Sequence, residues 1–194
     1  MRNVGLERAL SSSDMRHRFV VAYMYDLPFG HGQRFNISNR ALNAVAGDWQ
    51  VNGITTVHSG QPLTPQWATS SANTGDPRPN RIGNGNLPAD QRSVSHWFDT
   101  SAFALAAPYN FGNAGRDIIS SPGVVNFDFS ALKKFPVKKL GEAGLIQLRA
   151  EFFNILNHPQ FGQPNARVDI PSGASITYLT TPMRTIQFGV KIIF

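Results

Sequence analysis

The sequence predicts an all-β fold: about five antiparallel strands of a transmembrane outer-membrane β-barrel, joined by long extracellular loops. Three observations carry that expectation. Apolar and polar residues alternate with a period of two in segments of about ten residues, the spacing of strands with one apolar face. The longest apolar run, residues 19–25, has seven residues. That is too short for a membrane helix, whereas a barrel strand crosses with about 9–11. The connections differ in length, and the longest, 60–123 and 155–182, are rich in Pro, Gly, Asn and Ser.

Residues 1–14 read as a lead-in or truncated loop, and residues 15–194 as the partial barrel. Segment 15–27 sets Phe19, Val21, Tyr23, Tyr25 and Leu27 against a mixed face of Arg18, Val20, Ala22, Met24 and Asp26. Segment 48–59 places Trp49, Val51, Gly53, Thr55 and Val57 opposite Gln50, Asn52, Ile54, Thr56 and His58. In 124–134, Val125, Phe127, Phe129 and Ala131 oppose Asn126, Asp128 and Ser130. In 145–154, Ile146, Leu148, Ala150 and Phe152 oppose Gln147, Arg149 and Glu151. In 184–194, Ile186, Phe188, Val190, Ile192 and Phe194 oppose Thr185, Gln187 and Lys191. Connection 28–47 is intermediate in length, and 135–144 is turn-like. A structureless stretch as long as 60–123 argues against a compact soluble domain. Outer-membrane barrels, in contrast, alternate long outer loops with short inner turns.

Alternation alone does not say what covers the apolar faces. A soluble sheet buries them against another layer; a membrane barrel turns them to lipid and its polar face to the lumen. The last strand favours lipid. Gln187, Gly189, Ile192 and Phe194 follow the polar, Gly, hydrophobic, aromatic spacing of the terminal strand that the barrel-assembly machinery engages, and resemble that signal. If Phe194 ends at the periplasmic rim, antiparallel order puts Tyr25, Trp49, Phe135 and Phe194 near that rim, as an aromatic girdle requires. The same directions send both 60–123 and 155–182 outside the cell.

Composition narrows the chemistry. The formal net charge is +6, with 18 Lys and Arg, so nucleic acid and anionic lipid both need weighing. The lysines are few and no base-stacking module is present, so no nucleic-acid partner is expected. Lys133, Lys134, Lys138 and Lys139 flank a turn, which reads as a solvated hairpin or as a rim facing phospholipid headgroups. No Cys occurs, which excludes disulfides and thiolate sites. The five His residues, 17, 31, 58, 96 and 158, are dispersed. No metal site, cofactor, nucleophile elbow or enzymatic constellation is expected.

Asp128, Arg149 and Glu151 lie on the polar faces of adjacent segments, where they would point into the lumen. Unpaired buried charge is costly, so pairing among them is expected; substrate contact is the functional alternative. Loop 60–123 carries Trp67, Arg78, Arg81, Arg92, Trp97, Phe98, Phe103 and Tyr109. Of these, Trp67, Arg78, Arg81 and Trp97 are candidate ligand contacts, since aromatics beside Arg grip large ligands. The plainer reading is that the loop packs on itself.

Several stretches together resemble a known family. They are residues 14–21, 27–30, 47–53 (Gly-Asp-Trp-Gln-Val-Asn-Gly), 58–63, 97–103 and 126–134. The most distinctive is 149–162, Arg-Ala-Glu-Phe-Phe-Asn-Ile-Leu-Asn-His-Pro-Gln-Phe-Gly. From about Asp14 onward the chain resembles the C-terminal barrel strands of Oar-like TonB-dependent outer-membrane receptors of Gram-negative bacteria, which carry a carboxypeptidase-regulatory-like N-terminal domain. The resemblance implies a barrel of about 22 strands filled by a plug. It also implies uptake of a large ligand energised by TonB through that plug. About five strands cannot close a barrel, and residues 1–10 have no apolar signal-peptide core. The chain is therefore expected to be a C-terminal piece of such a receptor, inactive alone. Its partners would be outer-membrane lipid, the assembly machinery, the receptor's own N-terminal barrel and plug, and TonB. The competing expectation is a soluble all-β ligand- or carbohydrate-binding module.

Overall fold

The alternating segments pair in sequence order in the computed structural model, which describes residues 4–69, 77–137, 139, 141 and 144–194. Lys138 lies outside the described residues. Five strands, β1 (Arg18–Asp26), β2 (Trp49–His58), β3 (Val124–Pro136), β4 (Leu145–Phe153) and β5 (Thr185–Ile193), form one sheet in the order β1-β2-β3-β4-β5. Among the described residues that sheet is open: β1 and β5 are its two edges.

Register follows from the side-chain period. A slip of one residue would carry a whole apolar set to the other face. The observed pairing instead aligns like with like: Ile146 faces Ile192, Leu148 faces Val190, Ala150 faces Phe188 and Phe152 faces Ile186. On the other side of β4, Ile146 faces Phe135, Ala150 faces Ala131 and Phe152 faces Phe129. The polar face is matched in the same way, with Gln147 opposite Lys191 and Lys134, and Glu151 opposite Gln187 and Ser130. At the start of the meander, Leu27 donates its N–H to the Trp49 carbonyl at 2.8 Å.

The chain divides into two compact units. One holds residues 19–57, 125–159 and 182–194, and so carries most of the sheet. Its apolar face is bare along both edge strands. Every position of β1 is exposed, and so is every position of β5 except the last. Phe188 is 79% and Val190 67% accessible. Burying one such side chain is worth about 1.5–3 kcal/mol, so leaving a row of them in water costs the fold a gain comparable with the roughly 5–15 kcal/mol that holds a domain together. Hydrocarbon removes that cost. Among the described residues no second sheet covers this face, as a sandwich would need.

Tyr23 and Gly53 show how the wall packs on that face. A Cβ at Gly53 would run into the Tyr23 ring and the Asp128 carbonyl, so only glycine lets the tyrosine lie across the neighbouring strand. The connection between β1 and β2 holds a feature absent from the strand pattern, helix α1 (Arg40–Ala46). The Asn39 side chain caps its start by accepting the N–H groups of Ala41 and Leu42 at 3.0 and 3.1 Å.

The second unit comprises residues 1–18, 58–124 and 160–181. Here the two long connections share one small core of Phe98, Ala102, Phe103, Ala114, Ile119, Val168 and Ala174. Phe98 and Phe103 meet edge to face at 6.4 Å between ring centroids. Short pairings hold the chain in place, Pro62–Leu63 against Ile119–Ser120 and Asn80–Arg81 against Phe103–Ala104. Gln66 ties the two connections together. It donates its N–H to the Ala166 carbonyl and accepts the Val168 N–H, both at 2.9 Å.

Candidate functional site

Charges on the polar face of the sheet settle locally. Arg149 and Glu151, two residues apart on β4 and therefore on one face, form an ion pair at 3.2 Å. Asp128 does not join them. Its carboxylate accepts the N–H of Asn154 at 2.9 Å, just past the end of β4. Asn154 is buried and left-handed (φ 52°), a conformation that Asn tolerates better than most residues. Its side chain closes a five-residue turn, accepting the His158 N–H at 3.0 Å and donating to the His158 carbonyl at 2.8 Å. Asn157 in the same turn accepts the Arg184 N–H at 3.0 Å, one residue before β5. The stretch from Asn154 to His158 thus fastens the ends of β3, β4 and β5 to one another.

Along β5, the four residues singled out from the sequence occupy different environments. Gln187 stands opposite Glu151, Gly189 opposite Arg149 and Ile192 opposite Ile146. A Cβ at Gly189 would meet nothing within 4 Å, so packing does not require glycine there. It borders a depression of ≈ 340 Å³ lined by Gln147, Arg149, Glu151, Gln187 and Lys191, among others. Phe194 follows the strand and is 92% accessible.

The four loop residues proposed for ligand contact are engaged within the loop unit. Trp67 packs against the small core. The Arg78 guanidinium pairs with Glu7 and donates to the Leu6 carbonyl at 3.2 Å, which anchors the 3-10 turn Val4–Glu7. Arg81 donates from Nε to the Gly83 carbonyl at 2.9 Å. Trp97 donates from Nε1 to the Ser120 carbonyl at 2.8 Å, with the Arg92 guanidinium 5.5 Å from its ring centroid. Phe98 and Phe103 are core residues, while Tyr109 is 89% accessible. The loop packs on itself through these residues.

One residue departs from its sequence reading. Lys133 looked like part of a solvated hairpin, yet it is 3% accessible. Strand alternation puts it on the apolar face, one position from Phe135 on the same side. Its ammonium lies 5.5 Å from the Trp49 ring centroid and 5.2 Å from that of Phe135. It donates to the Asn43 carbonyl at 3.1 Å and to the Gly47 carbonyl, while Trp49 Nε1 donates to the Val45 carbonyl at 2.8 Å. Trp49 thereby satisfies the Val45 carbonyl left open at the C-terminus of α1, and Lys133 places a positive charge there, where it is favourable, as a second donor to the Asn43 carbonyl that already accepts the Gly47 N–H. The signal in the sequence was Lys133 standing in the apolar register between Ala131 and Phe135.

Among the described residues no helix is long and apolar enough to cross a membrane, which says nothing about strands. No group of three or more His, Asp or Glu side chains among them is placed to hold a metal ion.

A five-stranded antiparallel wall, apolar on one side and more polar on the other, is what an outer-membrane barrel is made of. The family model described as outer membrane beta barrel domain matches residues 1–187. The chain belongs to that family, and the family places it in the outer membrane. No curated protein and no solved structure matches it.

Proposed function

We propose that this chain supplies the C-terminal wall strands and outer loops of a TonB-dependent outer-membrane transporter of the Oar-like type, which takes up a large ligand. The observation that carries the reading is the open sheet. In hydrocarbon, each unpaired N–H or C=O along the free edges of β1 and β5 costs several kcal/mol, so further strands must pair with both edges. A barrel with a packed or plugged lumen also accounts for the mixed polar face, on which Met24 is 71% and Ile54 47% accessible beside Asp128 and Glu151. In this reading β1–β5 are wall, the unit built on Phe98 and Ile119 is the outer loop structure, and β5 with Phe194 addresses the chain to the assembly machinery. The polypeptide transports nothing by itself; energy from TonB acts on a plug carried by the rest of the receptor.

The test is to extract the polypeptide in detergent from outer membranes of cells that express it and to ask what closes the barrel. A plug-bearing receptor portion, continuous with the chain or co-purifying with it, that binds the C-terminal domain of TonB supports the proposal. A barrel closed solely by copies of this chain, without a plug, contradicts it. So does a water-soluble monomer that needs no detergent, the behaviour of a soluble binding module.

A further inference from the structure

Helix α1 is held where no barrel strand needs it. Lys133 and Trp49, whose side chains belong to the apolar face of the wall, donate to carbonyls at the C-terminal end of the helix, Lys133 to Asn43 and Gly47 and Trp49 to Val45. Asn43 turns toward Asp48, with its Nδ2 donating to the carboxylate at 3.1 Å. Leu42 and Val45, three residues apart and therefore on one side of the helix, are 56% and 72% accessible. The same connection exposes Phe29 and Phe35, stacked at 5.2 Å. Between Leu27 and Asp48 it carries Arg34 and Arg40 and no Asp or Glu. Apolar side chains beside cations, at the end of a lipid-facing wall and next to an aromatic pair, match the chemistry of a phospholipid interface.

We propose that α1 is an interfacial membrane helix: Lys133 and Trp49 clamp it to the apolar side of the wall, and Leu42 and Val45 enter the phospholipid leaflet there. Arg34 and Arg40 meet the phosphates. The surface continues the aromatic girdle expected from Tyr25, Trp49, Phe135 and Phe194, and the inference rests on that girdle facing lipid. It adds a device that the strand pattern does not contain, a short helix lying in the membrane plane that fixes the depth of this rim.

The chain has no Cys, so single cysteines can be introduced and labelled with a small fluorophore. The variants are Leu42→Cys and Val45→Cys, with Phe188→Cys on the wall and Tyr109→Cys in the loops as references. The protein is reconstituted, in the barrel it forms, into vesicles of phosphatidylethanolamine and phosphatidylglycerol with or without brominated acyl chains. Labels at 42 and 45 should lose emission roughly twofold in brominated vesicles and resist aqueous iodide, as expected for side chains at the acyl boundary. Iodide quenching at both positions equal to that at Tyr109→Cys, with Phe188→Cys still quenched by bromine, would overturn the proposal and leave the barrel standing. Loss of bromine quenching at Phe188→Cys as well would bring down the barrel reading itself.

Discussion

The Asp128 carboxylate on β3 accepts the backbone N–H of Asn154 at 2.9 Å, so a side chain of one strand holds the turn that ends the next. A charged acceptor on an otherwise buried N–H contributes about 1.5–3 kcal/mol. Asp128→Ala should lower the unfolding free energy of the detergent-extracted protein by that amount, read from the urea midpoint of its heat-modifiable gel band. Asp128→Asn, which keeps an acceptor oxygen, should recover most of the loss. Equal midpoints for Ala and native would show that the turn does not depend on this bond.

Lys133 is the second point of leverage. Lys133→Met keeps the aliphatic stem among Trp49 and Phe135 but removes the ammonium from the Gly47 carbonyl and from the Asn43 carbonyl, which retains the Gly47 N–H. Charged hydrogen bonds of this kind are worth about 1.5–3 kcal/mol. We expect hydrogen exchange across residues 40–47 to speed up while the strand amides of β4 and β5 stay protected. Unchanged exchange in α1 would remove the lysine from its support.

Gly53 answers to sterics alone. Gly53→Val places branched carbon where the Tyr23 ring and the Asp128 carbonyl already lie, an overpacking cost of about 1–3 kcal/mol. The double variant with Tyr23→Ala removes one of the two obstacles and should regain part of that loss in the same unfolding assay. Full tolerance of Gly53→Val would mean that the strands stand further apart than described.

Phe98 tests the loop unit. Its side chain is 1% accessible at the centre of the small core, and Phe→Ala in such a place costs about 3–5 kcal/mol. Limited proteolysis of Phe98→Ala should cut within 60–123 and 160–181, with the fragment spanning β3 and β4 persisting. Native resistance in the loops would contradict a core organised around Phe98.

The strands were legible because the membrane wall is a surface pattern: apolar residues recur every second position whatever lies beyond them. Register was not legible, since a slip of two residues keeps every apolar side chain on its own face; the pairing of Ile146 with Ile192 and of Phe152 with Ile186 comes from the structure. Helix α1 was not legible either, because seven residues between Asn39 and Gly47 give too few turns for an apolar period, and its support comes from Lys133 far along the chain. That loop 60–123 packs on itself was the plainer sequence reading, but the partners were not legible, because Phe98, Ile119 and Val168 are brought together by folding and share no local spacing. Pairing of Asp128 with Arg149 or Glu151 was the natural expectation from their shared face. The backbone N–H of Asn154 is invisible to that reasoning, although the Asn-Ile-Leu-Asn-His stretch that carries it stood out.

Lipid covering the apolar face is the claim on which the rest depends, and β5 tests it most directly. Single cysteines at 185–193, spin-labelled in reconstituted vesicles, report oxygen against aqueous nickel chelate at each position. Ile186, Phe188, Val190 and Ile192 should be oxygen-accessible and shielded from nickel, with Gln187, Gly189 and Lys191 low in oxygen, a strict period of two. Even-numbered labels open to nickel, or an accessibility profile without alternation, would contradict the account.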